Sequence, residues 1–180
     1  ESDAPAAILA AERVETRRHA AAVADRDGEF RAAWLAVERR HLRAHGFSER
    51  LLALMASHEV GPGQLRMEVT EGALLENPEQ VQICLAQLRA AGVQTLLDDF
   101  GTGFSSLSYL HRFPLHGLKI DRSFVSALQS GESGGTTAIV RAIRLLADSL
   151  GLEVVAEGVE TEEQRHFLIV FRLLDFQQRA

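Results

Sequence analysis

Four short apolar runs in this sequence end in ionisable residues, and these outline a chemistry before any fold is assigned. LRMEVTEG (65–72) carries Glu68 and Glu71, and TLLDDF (95–100) carries Asp98 and Asp99. LKID (118–121) carries Lys119 and Asp121, and VVAEGVE (154–160) carries Glu157 and Glu160. Adjacent carboxylates such as Asp98 and Asp99 repel each other as water is withdrawn, so burying them calls for a compensating positive charge. Acids between a strand and a helix often do no more than cap the helix and oppose its dipole, and that reading stays open for each residue taken singly. Glu68, Asp98 and Glu157, however, lie inside their apolar runs, and Asn77 and Thr161 already stand where two following helices need caps. One lysine does not balance seven carboxylates. A divalent cation is the better explanation, and an all-oxygen ligand set favours Mg2+ or Mn2+ over Zn2+. Asp98 and Asp99 could ligate two ions about 4 Å apart, the usual spacing of two-metal phosphoryl chemistry.

Other chemistries find less support. The seven histidines include no HExxH pair. Gly101 and Gly103 let the backbone turn sharply after the paired acids, but Ser106 occupies the last position of what would be a GxGxxG fingerprint. Cys84 sits on an apolar helix face and reads as core. A net charge of -6 argues against a basic face for a nucleic-acid polymer. The absence of any apolar run near 20 residues argues against a membrane span. A single cysteine excludes an internal disulfide framework and suits a reducing, cytoplasmic setting.

The elements that must position these residues follow from periodicity and caps. At 180 residues and 46% hydrophobic, the chain is sized for one domain with a core, and is short for a closed eight-fold α/β barrel of about 250 residues. Residues 1–46 are rich in Ala, Arg, Glu and His; helical propensity is present over 8–23, with a weak apolar stripe. From residue 47 to 180 the pattern sharpens into an α/β domain. Ser48 is placed to cap SERLLALMASH, Asn77-Pro78 starts a helix ended by Gly92, and QSGESGG (129–135) reads as a loop before a helix ended by Gly151. SSLSYLHRF (105–113) reads as a short helix, and Thr161 with Gln164 opens the last one. Strands over 65–70, 93–99, 116–121 and 152–158 alternate with these helices, which calls for a parallel sheet with right-handed crossovers. Ligands bind such sheets at the strand C-termini, where the ionisable residues collect.

In order and spacing, MEVTEG, LLDDFGTGFSSLSYL, LKIDRSFV and VVAEGVETEEQ resemble the second half of EAL-domain cyclic di-GMP phosphodiesterases, over about residues 47–164. The resemblance implies a bacterial TIM-barrel-like fold of parallel β/α repeats, here incomplete or open. It also implies a Mg2+- or Mn2+-dependent opening of cyclic di-GMP to a linear dinucleotide. On these motifs Glu68, Asp98 and Asp99 are expected to ligate metal, and Lys119 to hold and polarise the attacking water. Glu157 is expected to be a metal-site or general-base carboxylate, and Glu71 to anchor the loop after Asp99, the loop that carries the family's dimer contact. Asp121 and Gln178 are weaker candidates for substrate binding. Cyclic di-GMP, a second copy of the chain and flanking signalling domains are the expected partners.

Three features depart from the family pattern. No Glu-Ala-Leu tripeptide occurs; LAVERRHLRAHGF (35–47) has no asparagine where a ligand is expected, with Glu38 as a misplaced oxygen donor; and Gln178 is followed by Arg179 rather than glycine. An active phosphodiesterase, a degenerate domain acting by binding nucleotide or protein, and an incomplete stretch of a larger domain are therefore all open readings.

Overall fold

The computed structural model describes residues 23–24, 30–101, 110–128, 133–170 and 175–177. They fall into two compact units, residues 1–96 with 112–115 and residues 97–111 with 116–180.

In the first unit, β1 (Val23–Ala24) pairs antiparallel with β2 (Phe30–Val37), and β2 pairs parallel with β3 (Leu65–Thr70), placing Ala36 opposite Glu68. Burial along β3 alternates: Leu65, Met67 and Val69 point into the core, while Arg66 and Glu68 are half-buried. Helices α1 (Arg39–Arg43), α2 (Phe47–Ser57), α3 (Glu71–Leu75) and α4 (Pro78–Ala90) complete the unit. Val81, Cys84, Leu85 and Leu88 are the buried face of α4, as their spacing predicts. Gly92 ends that helix at φ 85, and a Cβ there would lie 2.5 Å from that of Pro62, so both conformation and space require glycine.

β4 (Gln94–Phe100) carries the chain into the second unit. There β5 (Gly117–Ile120) is buried throughout and pairs parallel with β6 (Glu153–Glu157), which pairs parallel with β7 (Asp175–Gln177). Helices α5 (Arg122–Ala127), α6 (Ser133–Leu150) and α7 (Glu162–Val170) alternate with these strands. Leu118, Ile120, Val125, Val140, Val154 and Leu168 form the core, each large apolar side chain contributing roughly 1.5–3 kcal/mol on burial. Strands that read as continuous apolar runs are thus buried on both faces, as parallel β/α architecture demands. The seven described strands, one of them antiparallel, are fewer than the eight parallel strands of a closed barrel. The α/β, TIM-barrel-like expectation of an incomplete set of repeats holds. No helix among the described residues is long and apolar enough to cross a membrane.

Several local expectations are refined. Ser48 is not the cap of α2: Gly46 takes that position at φ 71, and the Ser48 hydroxyl donates to Gln87 Oε1 at 2.6 Å. α6 begins at Ser133, inside the stretch expected to be loop. The pairing of Thr161 and Gln164 is reciprocal, with Gln164 N donating to Thr161 Oγ1 (3.2 Å) and Thr161 N to Gln164 Oε1 (3.0 Å). Gly103, residues 105–109 of SSLSYLHRF, Gln178 and residues 8–22 of the first stretch lie outside the described residues.

Candidate active site

Lys119 organises the site. It lies on the fully buried strand β5 and is itself 1% exposed, yet its charge is matched on two sides. Its Nζ is 3.1 Å from Asp98 Oδ1 at the end of β4 and 2.5 Å from Glu157 Oε1 at the end of β6. The two carboxylates keep 23% and 26% of their side-chain surface in contact with solvent, so the ammonium is sealed behind acids that still reach water. Burying an ammonium this deeply is tolerable only with such pairing. The compensating charge demanded by the acidic strand ends is therefore supplied, in part, by the protein itself.

Asp99 follows Asp98 at the end of β4. Its backbone is in the left-handed region, φ 54, which Asp tolerates better than most residues and which commonly marks a functional turn. Its N–H donates to Asp98 Oδ1 at 3.0 Å. Partial burial, then the carboxylates of Asp98, Asp121 and Glu157, push the Asp99 carboxyl above the usual carboxylate range, with Lys119 pulling the other way. The residue as a whole remains exposed, so this is an accessible acid in a field of like charge. Such a donor set, all oxygen and carrying excess negative charge, fits a hard divalent cation. Among the described residues no three Asp, Glu, His or Cys side chains are gathered as a ready cage, and the Lys119 ammonium, not another acid, lies between Asp98 and Glu157.

The remaining candidates are distributed as follows. Asp121 caps α5: its Oδ1 accepts from Ser123 N at 2.9 Å and from Ser123 Oγ at 2.5 Å, the ordinary capping use of an acid after a strand. Glu160 pairs with Arg122 at 2.6 Å. Glu68, half-buried on β3, and Glu71, the first residue of α3, belong to the first unit. Glu38, the misplaced oxygen donor, closes a capping box on α1: its side chain accepts from the His41 backbone while Glu38 N donates to His41 Nδ1 at 3.1 Å. It also pairs with Arg40 at 3.2 Å. Cys84 is buried, and burial pushes its thiol up, which suits core and not a nucleophile. Sequence reasoning passes over Arg122, whose partner lies 38 residues away.

Known proteins resemble this chain in sequence and in fold. The EAL domain family model matches residues 7–174. The bifunctional diguanylate cyclase/cyclic di-GMP phosphodiesterase MucR of Pseudomonas aeruginosa is 43% identical over 123 residues, which are 68% of this chain and 18% of MucR. Among solved structures, the EAL domain of Mycobacterium smegmatis DcpA superposes with a TM-score of 0.74 at 39% identity, over 80% of this chain and 64% of that one. The manganese/cy-diGMP complex of Klebsiella pneumoniae BlrP1 superposes with a TM-score of 0.71 at 29% identity, over 97% and 41%. The matched stretches span 13% to 24% of the curated relatives' own length. By its family model, its sequence motifs and its fold, this chain belongs to the EAL domain family.

Proposed function

We propose that this chain is an EAL-type domain of bacterial cyclic di-GMP signalling that binds cyclic di-GMP with Mg2+ or Mn2+ and hydrolyses one phosphodiester to give the linear dinucleotide. The observation that carries the proposal is the buried Lys119 held between Asp98 and Glu157, beside an accessible Asp99 in excess negative charge. Asp98 and Asp99 would hold the cation; Glu68, in the first unit, is a proposed metal ligand on the family resemblance alone. When bound, the cation supplies an acidified water and offsets charge on the phosphoryl oxygens. Lys119, fixed by two ion pairs, orients that water and keeps its own proton. Glu157, with one oxygen on Lys119 and solvent contact beside it, would accept the water's proton, while the departing ribose oxygen takes a proton from bulk water, to which Glu157 later returns the one it accepted. Glu71 is proposed to anchor the chain after Asp99. Asp121 and Gln178 are proposed, more weakly, to contact the nucleotide. The greater length of the relatives supports flanking signalling domains, a second copy of the chain is a further proposed partner, and the lone cysteine suits the cytoplasm.

A second reading, nucleotide binding without turnover, is favoured by Glu38, whose oxygens are engaged in a helix cap and an Arg40 pair where the family pattern calls for a ligand. Long incubation with cyclic di-GMP and Mn2+, resolved by chromatography, separates the two. Linear dinucleotide from the parent and none from Asp98→Asn is the expected result. Intact substrate in both, with binding retained by calorimetry, replaces hydrolysis with the binding role.

A further inference from the structure

The turn that follows Glu157 is fastened to α5 at three points, all of them outside the Lys119 cluster. Gly158 takes φ 67, and a Cβ on it would fall 2.5 Å from Cγ and 2.9 Å from Cδ of Arg122, so the arginine stem lies directly on the glycine backbone. The guanidinium continues past it to Glu160, with Nη2 donating to Oε1 at 2.6 Å. Behind this, Gln164 is 3% exposed. Its Oε1 accepts from Glu160 N at 2.7 Å and Thr161 N at 3.0 Å, and its Nε2 donates to the Val125 carbonyl of α5 at 3.3 Å.

An exposed ion pair adds little stability in water. An arginine stem seated on a left-handed glycine has a different use: it fixes the backbone direction where β6 ends. We propose that Arg122, through its contact with Gly158 and its pair with Glu160, is a positioning residue that holds Glu157 against Lys119. A single strand exit therefore sets both halves of the pair. β5 delivers Lys119 inward and, three residues on, Arg122 across the turn that carries Glu157. The inference rests on the proton-accepting role proposed for Glu157.

The test compares Arg122→Ala, Arg122→Glu and the reversed pair Arg122→Glu/Glu160→Arg with the parent, reading kcat and KM for cyclic di-GMP with Mn2+, amide hydrogen exchange over residues 157–161, and Tm. Arg122→Ala is expected to lower kcat about 10-fold, as supporting groups around such sites commonly do, with KM within about twofold. The amides of residues 157–161 should exchange faster while Tm barely moves, and the reversed pair should recover part of both effects. Unchanged kcat, or a change in KM alone, overturns the proposal. If the parent itself shows no turnover, the hydrolytic reading fails separately, and the clamp is then judged by exchange. Unaltered protection over residues 157–161 in Arg122→Ala overturns it, and faster exchange restored by the reversed pair supports it.

Discussion

The exits of β2 and β5 solve the same problem differently. Each strand must hand over to a helix whose first N–H groups need an acceptor. At the end of β2 the acid nearest the strand, Glu38, takes the capping task itself and pairs with the exposed Arg40. At the end of β5, capping falls to Asp121, two residues beyond Lys119, so the lysine stays inside and pairs with Asp98 and Glu157. A strand-end side chain is available to other partners when some other residue satisfies the helix.

The strongest way to break that comparison is to remove the ammonium. Lys119→Met leaves two carboxylates facing each other over an apolar floor, and should cost about 3 kcal/mol in urea unfolding, at the low end for a broken buried pair because both acids touch water. Glu38→Ala removes a cap and an exposed ion pair and should cost about 1 kcal/mol by the same measurement. Mn2+ affinity, read by calorimetry, should stay within about twofold in that variant, since the Glu38 oxygens are engaged elsewhere. Equal losses for the two variants would erase the distinction.

Asp99→Asn sharpens the point from the other side. Asparagine accepts the left-handed backbone, so the substitution changes charge with little strain. Because the folded-state pKa of Asp99 is raised, its neutral form is favoured in the fold. The resulting stability is present below the unfolded value, about 3.9, and is lost as pH rises through the higher folded value. In chelator at pH 7 the variant should therefore melt above the parent, and near pH 3 the two should coincide. With Mn2+ in excess the order should reverse, because only the parent gains the full binding energy. A smaller effect is expected at Cys84: alkylation in native buffer at pH 8 should be slow, and fast in denaturant, given burial of the thiol.

Much of this was readable in the chain. The strands after residue 64 are apolar runs closed by turns, and α4, α6 and α7 carry their own stop or start signals in Gly92, Gly151 and the Thr161–Gln164 pair. The acids at the strand ends stood out because they interrupt apolar runs. β2 was not legible: FRAAWLAV is alanine-rich and lacks β-branched residues until its end, and its extended form is set by pairing with β3. The cap of α2 misled because a serine before an apolar run matches the usual signature, while its hydroxyl had a nearer acceptor on α4. The role of Arg122 depends on a glycine and a glutamate brought to it by folding, and no local pattern announces that. Which acids Lys119 would choose was equally a matter of tertiary distance.

The self-neutralised trio of Asp98, Lys119 and Glu157 also bears on supply. Small metal-organised domains stay unfolded until their ion arrives. Here an internal cation already quiets two of the acids at the strand ends, so their burial in the fold does not wait on an added ion.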